Sequence, residues 1–171
     1  MLWLKNVNKM KNTDYENLYT KIFKIMGQLT HLRADCGKLC GGACCKGDEK
    51  TGMRLFPHEE TELSVVETTN GGRLAVCDGN CDREKRPLAC RIFPFFPTID
   101  ERGRIFVEKD YRAEMVCTMI EHSDQIIFDK RFFKALKKVG KLLAKDEECR
   151  EFLYTSTEEI DIYYRFRHGE E

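Results

Sequence analysis

A ten-residue segment, 36–45, contains four cysteines and three glycines. Glycine lets the backbone turn tightly beside the thiols and bring their sulfurs to one side. Four thiols this close in sequence can converge on a metal ion without any long-range folding. The surrounding residues, 35–52, show no apolar periodicity, so we expect a loop that forms around a ligand rather than a regular element.

The cellular compartment determines which chemistry is expected of clustered cysteines. Residues 1–9 interrupt their apolar side chains with Lys and Asn, and so lack the apolar core of about 7 to 15 residues that a signal peptide needs. We therefore expect a cytoplasmic protein. In that reducing environment, clustered cysteines bind metal or perform redox chemistry more often than they form disulfides.

Length and charge exclude several classes of protein. The 171 residues suit one domain spanning 1–171, and the 29 basic residues are balanced by 29 acidic ones. A net charge of zero argues against a general affinity for nucleic acid or for an anionic membrane. No apolar run approaches the roughly 20 residues needed to span a bilayer.

A second group of cysteines follows the first along the chain. It consists of Cys77, Cys81 and Cys90, while Cys117 and Cys149 stand apart. Thiolate ligands favour zinc, copper(I) or iron–sulfur clusters over calcium and magnesium. Eight thiolates would suffice for two four-thiolate zinc sites or two clusters, whereas fewer ligands would leave an open position for substrate or water.

The adjacent pair Cys44 and Cys45 adds a constraint. Neighbouring side chains normally diverge, so we expect the two thiols to serve different centres, or only one of them to be a ligand. Each closed four-thiolate zinc site would carry a formal charge of about −2, which nearby cations can offset. We expect Arg86 and Arg91, which flank Cys90, to neutralise thiolates or to bind an anionic cofactor or substrate.

Two cysteine chemistries can be excluded by spacing. Radical-SAM chemistry needs a third cysteine where this chain has Ala43, and a thioredoxin-type pair separated by two residues is absent.

The order of these residues resembles a known family. Cys36, Cys40, the pair 44–45, Cys77, Cys81 and the segment 86–93, Arg-Pro-Leu-Ala-Cys-Arg-Ile-Phe, resemble the YkgJ-like cysteine-cluster family, described as a zinc- or iron-chelating domain. The resemblance covers roughly residues 35–117 and implies eight metal-binding cysteines. By position these are Cys36, Cys40, Cys44, Cys45, Cys77, Cys81, Cys90 and Cys117, while Cys149 has no counterpart.

The remaining pattern predicts an α+β fold, mainly α, with short strands and helices around a cysteine-rich metal centre. A capping box and an apolar stripe predict an N-terminal helix over 13–32. We expect a short strand at 55–56 that enters a helix at Pro57, with Glu59 and Glu60 in its first turn and its end before Gly71. A brief strand at 74–76, a hairpin joining Ile99 to 105–107, and C-terminal helices within about 123–155 complete the prediction.

Other features receive structural interpretations. We expect His58 to lie at the surface or to cap a helix, and the segment 93–97, Phe-Pro-Phe-Phe-Pro, to form core beside the metal loop. The lysines between 130 and 145 should form a solvated helix face, since no aromatic residues interleave them for nucleic-acid binding.

Two main hypotheses of function follow. In the first, the protein is a cytoplasmic metal-binding module that chelates zinc or iron, with an iron–sulfur cluster as one form of the iron. In the second, it is an iron–sulfur oxidoreductase or electron-transfer protein. A protein or nucleic-acid adaptor that uses the basic C-terminal helix is a third interpretation, with nucleic acid the less favoured partner. Metal ions are the partners common to the first two.

Overall fold

A computed structural model describes residues 12–48, 50–80 and 82–169, and it confirms an α+β fold that is mainly helical. The six α-helices of the described residues are α1 (Asn12–Met26), α2 (Gly37–Cys40), α3 (Leu88–Ile92), α4 (Thr118–Glu121), α5 (Lys130–Leu143) and α6 (Glu147–His168). The five strands are β1 (Met53–Arg54), β2 (Ser64–Glu67), β3 (Arg73–Val76), β4 (Phe95–Ile99) and β5 (Ile105–Lys109).

The strands form two small antiparallel sheets. The first has the order β1–β3–β2, with Ala75 of β3 opposite both Met53 and Val65. The second is the predicted hairpin, in which Ile99 of β4 pairs with Ile105 of β5. Gly103 adopts a left-handed φ of 73° in the connecting turn, which a glycine tolerates without strain. In the first sheet, β3 confirms the short strand predicted at 74–76.

One apolar core joins α1, α5 and α6 to the hairpin. Phe95 and Phe96 are buried in it, as predicted for the segment 93–97. The Phe96 ring stacks on Phe56 at 5.6 Å between centroids, while Phe95 meets Phe133 edge to face. Helix α5 packs against both hairpin strands and α1, and these contacts form the centre of the fold.

The helix predicted from Pro57 is wrong. After one turn at Pro57, His58 takes a left-handed φ of 58°, and the chain goes on to form strand β2. The adjacent Val65 and Val66 suit a strand, because β-branched side chains are stiff and pack well on a pleated surface. Glu59 is therefore not a first-turn acid but a fully buried side chain.

The bounds of the long helices also differ from the predictions. Helix α1 ends at Met26 rather than residue 32, because Gly27 adopts a left-handed φ of 47°. Helix α5 begins at Lys130 rather than near residue 123, where Asp129 accepts the N–H of Arg131 as an N-cap. Helix α6 continues past residue 155 to His168, since no helix-breaking residue occurs before Gly169.

The cysteine-rich segments lie beside the core rather than at its centre. Most of the described thiols are partly exposed, and only Cys117 and Cys149 are buried. The lysines of α5 point to solvent, as expected. Within the described part of the chain, no helix has the length and apolar character required to cross a membrane.

Candidate metal centre

The segment 36–45 folds as two short helical turns joined by two glycines. Helix α2 ends where Gly41 and Gly42 adopt left-handed φ values of 65° and 68°, and a 3₁₀ turn then spans Ala43–Cys45. Neither turn contains a buried residue. The left-handed pair reverses the chain, so the cysteines before and after it come to the same side of the fold.

Cys44 and Cys45 do not diverge as expected. Their Sγ atoms lie 4.0 Å apart, within the range of a sulfur hydrogen bond. The hydrogen bond from Cys44, together with the positive charge of Arg86, lowers the pKa of Cys45 to about 6, although burial opposes this. The same contact and burial raise the pKa of Cys44. The pair therefore favours one thiol and one thiolate at neutral pH.

Cys117 joins the first group from far along the chain. Its turn precedes α4, and its thiol is close enough for its charge to act on Cys36. Burial, followed by the charges of Cys40 and Cys117, raises the pKa of Cys36. Burial and the charge of Cys40 likewise raise the pKa of Cys117, although the N–H groups of Met119 and Ile120 oppose this. Cys117 is thus within electrostatic range of Cys36 and Cys40, although it is far from them along the chain.

The second group meets the first through a backbone bridge. Lys46 pairs with Asp78 in an isolated antiparallel bridge, and the N–H of Gly47 donates to the carbonyl of Cys77 at 2.9 Å. This places Cys77 beside the pair Cys44–Cys45, and all three thiol-bearing residues line one cleft. Cys81 lies outside the described residues.

Cys90 stands between two cavities. It lines the cleft that contains the pair Cys44–Cys45, and it also lines a smaller cavity that contains Cys36. Its helix, α3, is anchored at its first residue by the buried Glu59 carboxylate, which accepts the N–H of Leu88. Cys90 is therefore the described cysteine that borders both parts of the first group.

The described thiols are not arranged as ligands of a metal ion. Among the residues that the structure describes, no three His, Cys, Asp or Glu side chains stand close enough together to hold a metal ion. Seven of the eight predicted ligands are described: five of them line the two cavities that share Cys90, whereas Cys40 and Cys117 line neither.

The two arginines flanking Cys90 differ in their surroundings. Arg86 lines both cavities and acts electrostatically on Cys45. The Arg91 guanidinium donates to the carbonyls of Arg86, Glu84 and Gly27, and it also stacks over the ring of Phe23 at 4.7 Å. These contacts hold the chain around Cys90 in place, so Arg91 has a structural role.

The cleft beside the thiols was not predicted from the sequence. It has a volume of about 430 Å³, and it is lined by the pair Cys44–Cys45, by residues of strands β1 and β3, and by Arg112 and Glu159. Arg54 and Arg112 lie on its wall and are held by Glu159 and Asp110, respectively. No spacing in the sequence indicates that residues so far apart share a cavity.

His58 and Cys149 lie away from this cleft. The His58 ring stacks on Tyr15, and its Nε2 lies 2.6 Å from a carboxylate oxygen of Glu148. Cys149 is fully buried and its Sγ faces the carbonyl of Pro57 at 4.0 Å. Both residues tie α6 to the loop after β1.

Comparisons with protein-family models, with curated proteins and with solved structures found no match to this chain.

Proposed function

We propose that the protein is a cytoplasmic metal-binding protein that chelates zinc or iron through its clustered cysteines, as a member of the YkgJ-like cysteine-cluster family. The observation that supports this most is the position of Cys117. Its thiol comes from a distant part of the chain and lies within electrostatic range of Cys36 and Cys40. An apolar core buries a single cysteine readily, but thiols from separate segments that act on one another are what a shared metal centre needs.

The segment 36–45 is suited to close on an ion. Its two turns bury no residue, and the glycines between them leave the backbone free to adjust. Metal binding would then order this segment locally, while the apolar core holds the rest of the fold. Cys77 and Cys90, which line the same cleft as Cys44 and Cys45, would add to the ligand set, and the resemblance adds Cys81 to it.

The two arginines would have different roles at such a centre. Arg86 would offset the negative charge of bound thiolates, since it already acts on Cys45. Arg91 would hold the segment around Cys90 in place through its three carbonyl contacts. The iron–sulfur oxidoreductase or electron-transfer function stays as the second proposal, and metal identity decides between the two.

Elemental analysis with an absorption spectrum, on protein purified without oxygen, tests the proposal. Zinc without a visible band supports a structural or metal-handling role, whereas iron with sulfide and a visible charge-transfer band supports the redox function. Single Cys-to-Ser variants of the eight proposed ligands should lose metal. Cys149→Ser is the matched control, because this buried thiol lies outside the cluster, and it should retain metal. Protein with no metal would overturn the proposal.

A further inference from the structure

The cleft beside Cys44 and Cys45 has the size and wall of a small-molecule site. Its volume of about 430 Å³ falls within the range of roughly 300 to 1,000 Å³ that such sites occupy. The residues that line it include Cys44, Cys45, Cys77 and Cys90, together with Tyr111, Arg112 and Glu159 of helix α6. Because these residues come from distant parts of the chain, the cavity depends on the tertiary fold.

Charge in this cleft is strongly one-sided. Among the described residues, five cationic side chains line it against one carboxylate, that of Glu159, and they are Lys46, Lys50, Arg54, Arg86 and Arg112. Arg54 is held by Glu159, with contacts of 3.1 and 2.9 Å, and Arg112 by Asp110. The ammonium groups of Lys46 and Lys50 form no ion pair with a described residue, so their charge is available at the cleft mouth.

The rest of the wall is apolar. Met53, Leu74, Phe93, Tyr111 and Val116 contribute side chains to it. A ligand that matches both surfaces carries a negative group and an apolar body. An inorganic anion would leave the apolar wall unpaired, and a neutral apolar molecule would gain nothing from the lysines.

We propose that this cleft binds a small organic anion with an aromatic or apolar body, placed against the thiols of the metal centre. The negative group lies toward Lys46 and Lys50, and the apolar body lies against Met53 and Leu74. The inference rests on the proposed function in one respect, which is that the thiols lining the cleft are among those proposed to hold the metal.

A pair of fluorescent probes tests the ligand class. 8-Anilinonaphthalene-1-sulfonate carries a sulfonate on an aromatic body, whereas N-phenyl-1-naphthylamine offers the same kind of body without the charge. We expect the sulfonate to bind once per chain and at least ten-fold more tightly than the neutral amine. Lys46→Gln with Lys50→Gln should weaken sulfonate binding at least five-fold. The control, Lys134→Gln with Lys141→Gln on the exposed face of α5, should leave it unchanged. Equal binding of the two probes, or equal effects of the two double variants, would overturn the proposal.

Thiol alkylation locates the bound probe. In metal-free protein, the sulfonate should slow the reaction of Cys77 with N-ethylmaleimide, whereas Cys40, which does not line the cleft, should react at an unchanged rate. Protection of neither residue, or of both equally, would place the probe elsewhere and overturn the proposal. Because the probes are applied both to protein as purified and after chelation, the two proposals fail separately. Protein without metal that still binds the sulfonate in the cleft refutes only the metal centre, and metal-loaded protein that does not bind it refutes only the ligand.

Discussion

The carboxylate of Glu59 accepts a hydrogen bond from the backbone N–H of Leu88, the first residue of the helix that carries Cys90. Its second oxygen accepts the N–H of Phe56 at 3.1 Å, so one fully buried side chain joins the loop after β1 to α3. Burial raises the pKa of Glu59 to about 7, although both hydrogen bonds and the charges of Arg73 and Arg91 oppose the shift.

This raised pKa predicts a fold that loses stability as the pH rises. Between the ordinary pKa of 4.5 and the folded value of about 7, the folded chain keeps a proton that the unfolded chain releases. The contribution of Glu59 to the free energy of unfolding is fully present below pH 4.5 and is lost as the pH rises through 7. The loss is about 3 kcal/mol at most.

Urea unfolding of wild type and Glu59→Gln at pH 5 and pH 8 checks this prediction. The free energy of unfolding of wild type, relative to the variant, should be about 2 to 3 kcal/mol greater at pH 5 than at pH 8. Glu60→Gln, which changes the exposed neighbour, should show no such difference. A constant difference between wild type and Glu59→Gln at both pH values would contradict the assignment.

His31 should act in the opposite direction. Its ring is buried among Phe95, Phe128 and Phe132, its Nε2 has no hydrogen-bond partner among the described atoms, and burial lowers its pKa to about 4. The unfolded chain binds a proton below about pH 6.5, whereas the folded chain does so only near pH 4. Stability therefore falls as the pH drops through this window, by at most about 3 kcal/mol. His31→Phe should remove that loss in unfolding experiments at pH 7 and pH 5, and His122→Phe, at an exposed position, should retain it.

Gly140 lies where α5 passes close to the hairpin. A Cβ at this position would lie 2.6 Å from Cγ2 of Ile105 and 2.9 Å from Cβ of Pro97. Gly140→Ala should therefore lower the free energy of unfolding by about 1 to 3 kcal/mol, because the helix must move off the hairpin. Lys141→Ala, one residue further on the exposed face, should change it by less than about 0.5 kcal/mol. Helix propensity alone predicts that Gly140→Ala raises the free energy of unfolding. That result would show that α5 does not pack this closely against the hairpin.

Arg91 should contribute more to stability than its neighbour Arg83. Arg91→Met keeps an apolar stem against Phe23 but loses three hydrogen bonds to carbonyls, and should cost about 1 to 3 kcal/mol in thermal or urea unfolding. Arg83→Met loses a partly exposed ion pair with Asp35 at 3.4 Å and should cost less than about 1 kcal/mol. Equal losses of stability in the two variants would show that the hydrogen bonds of Arg91 contribute no more than the ion pair of Arg83.

Local signals in the sequence predicted much of the fold. The apolar stripes of α1 and α5 and the glycine turn of the hairpin each depend on neighbouring residues, and each element was found. The helix predicted from Pro57 is wrong because the helix-start signals of Pro57 and two acidic residues are outweighed by the strand preference of the pair Val65–Val66. That pair reaches its partner strand, β3, only through the tertiary fold.

The candidate site could be predicted only in part, because most of it depends on tertiary packing. The density of cysteines in the segment 36–45 is evident in the sequence, but the position of Cys117 relative to them and the wall of the cleft depend on long-range packing. Glu59 gave no signal of burial, since its neighbours are those of an ordinary surface turn. A carboxylate that accepts backbone N–H groups from two distant segments leaves no periodic pattern.

The turns that carry Cys36, Cys40, Cys44 and Cys45 bury no side chain, and this separates the architecture of the chain from its chemistry. The apolar core supplies the free energy of folding, so the thiol segment can be exchanged, lengthened or respaced with little penalty to the scaffold. The protein is for that reason a favourable host for grafted metal loops, in which selectivity for one ion over another can be varied while the supporting structure stays constant.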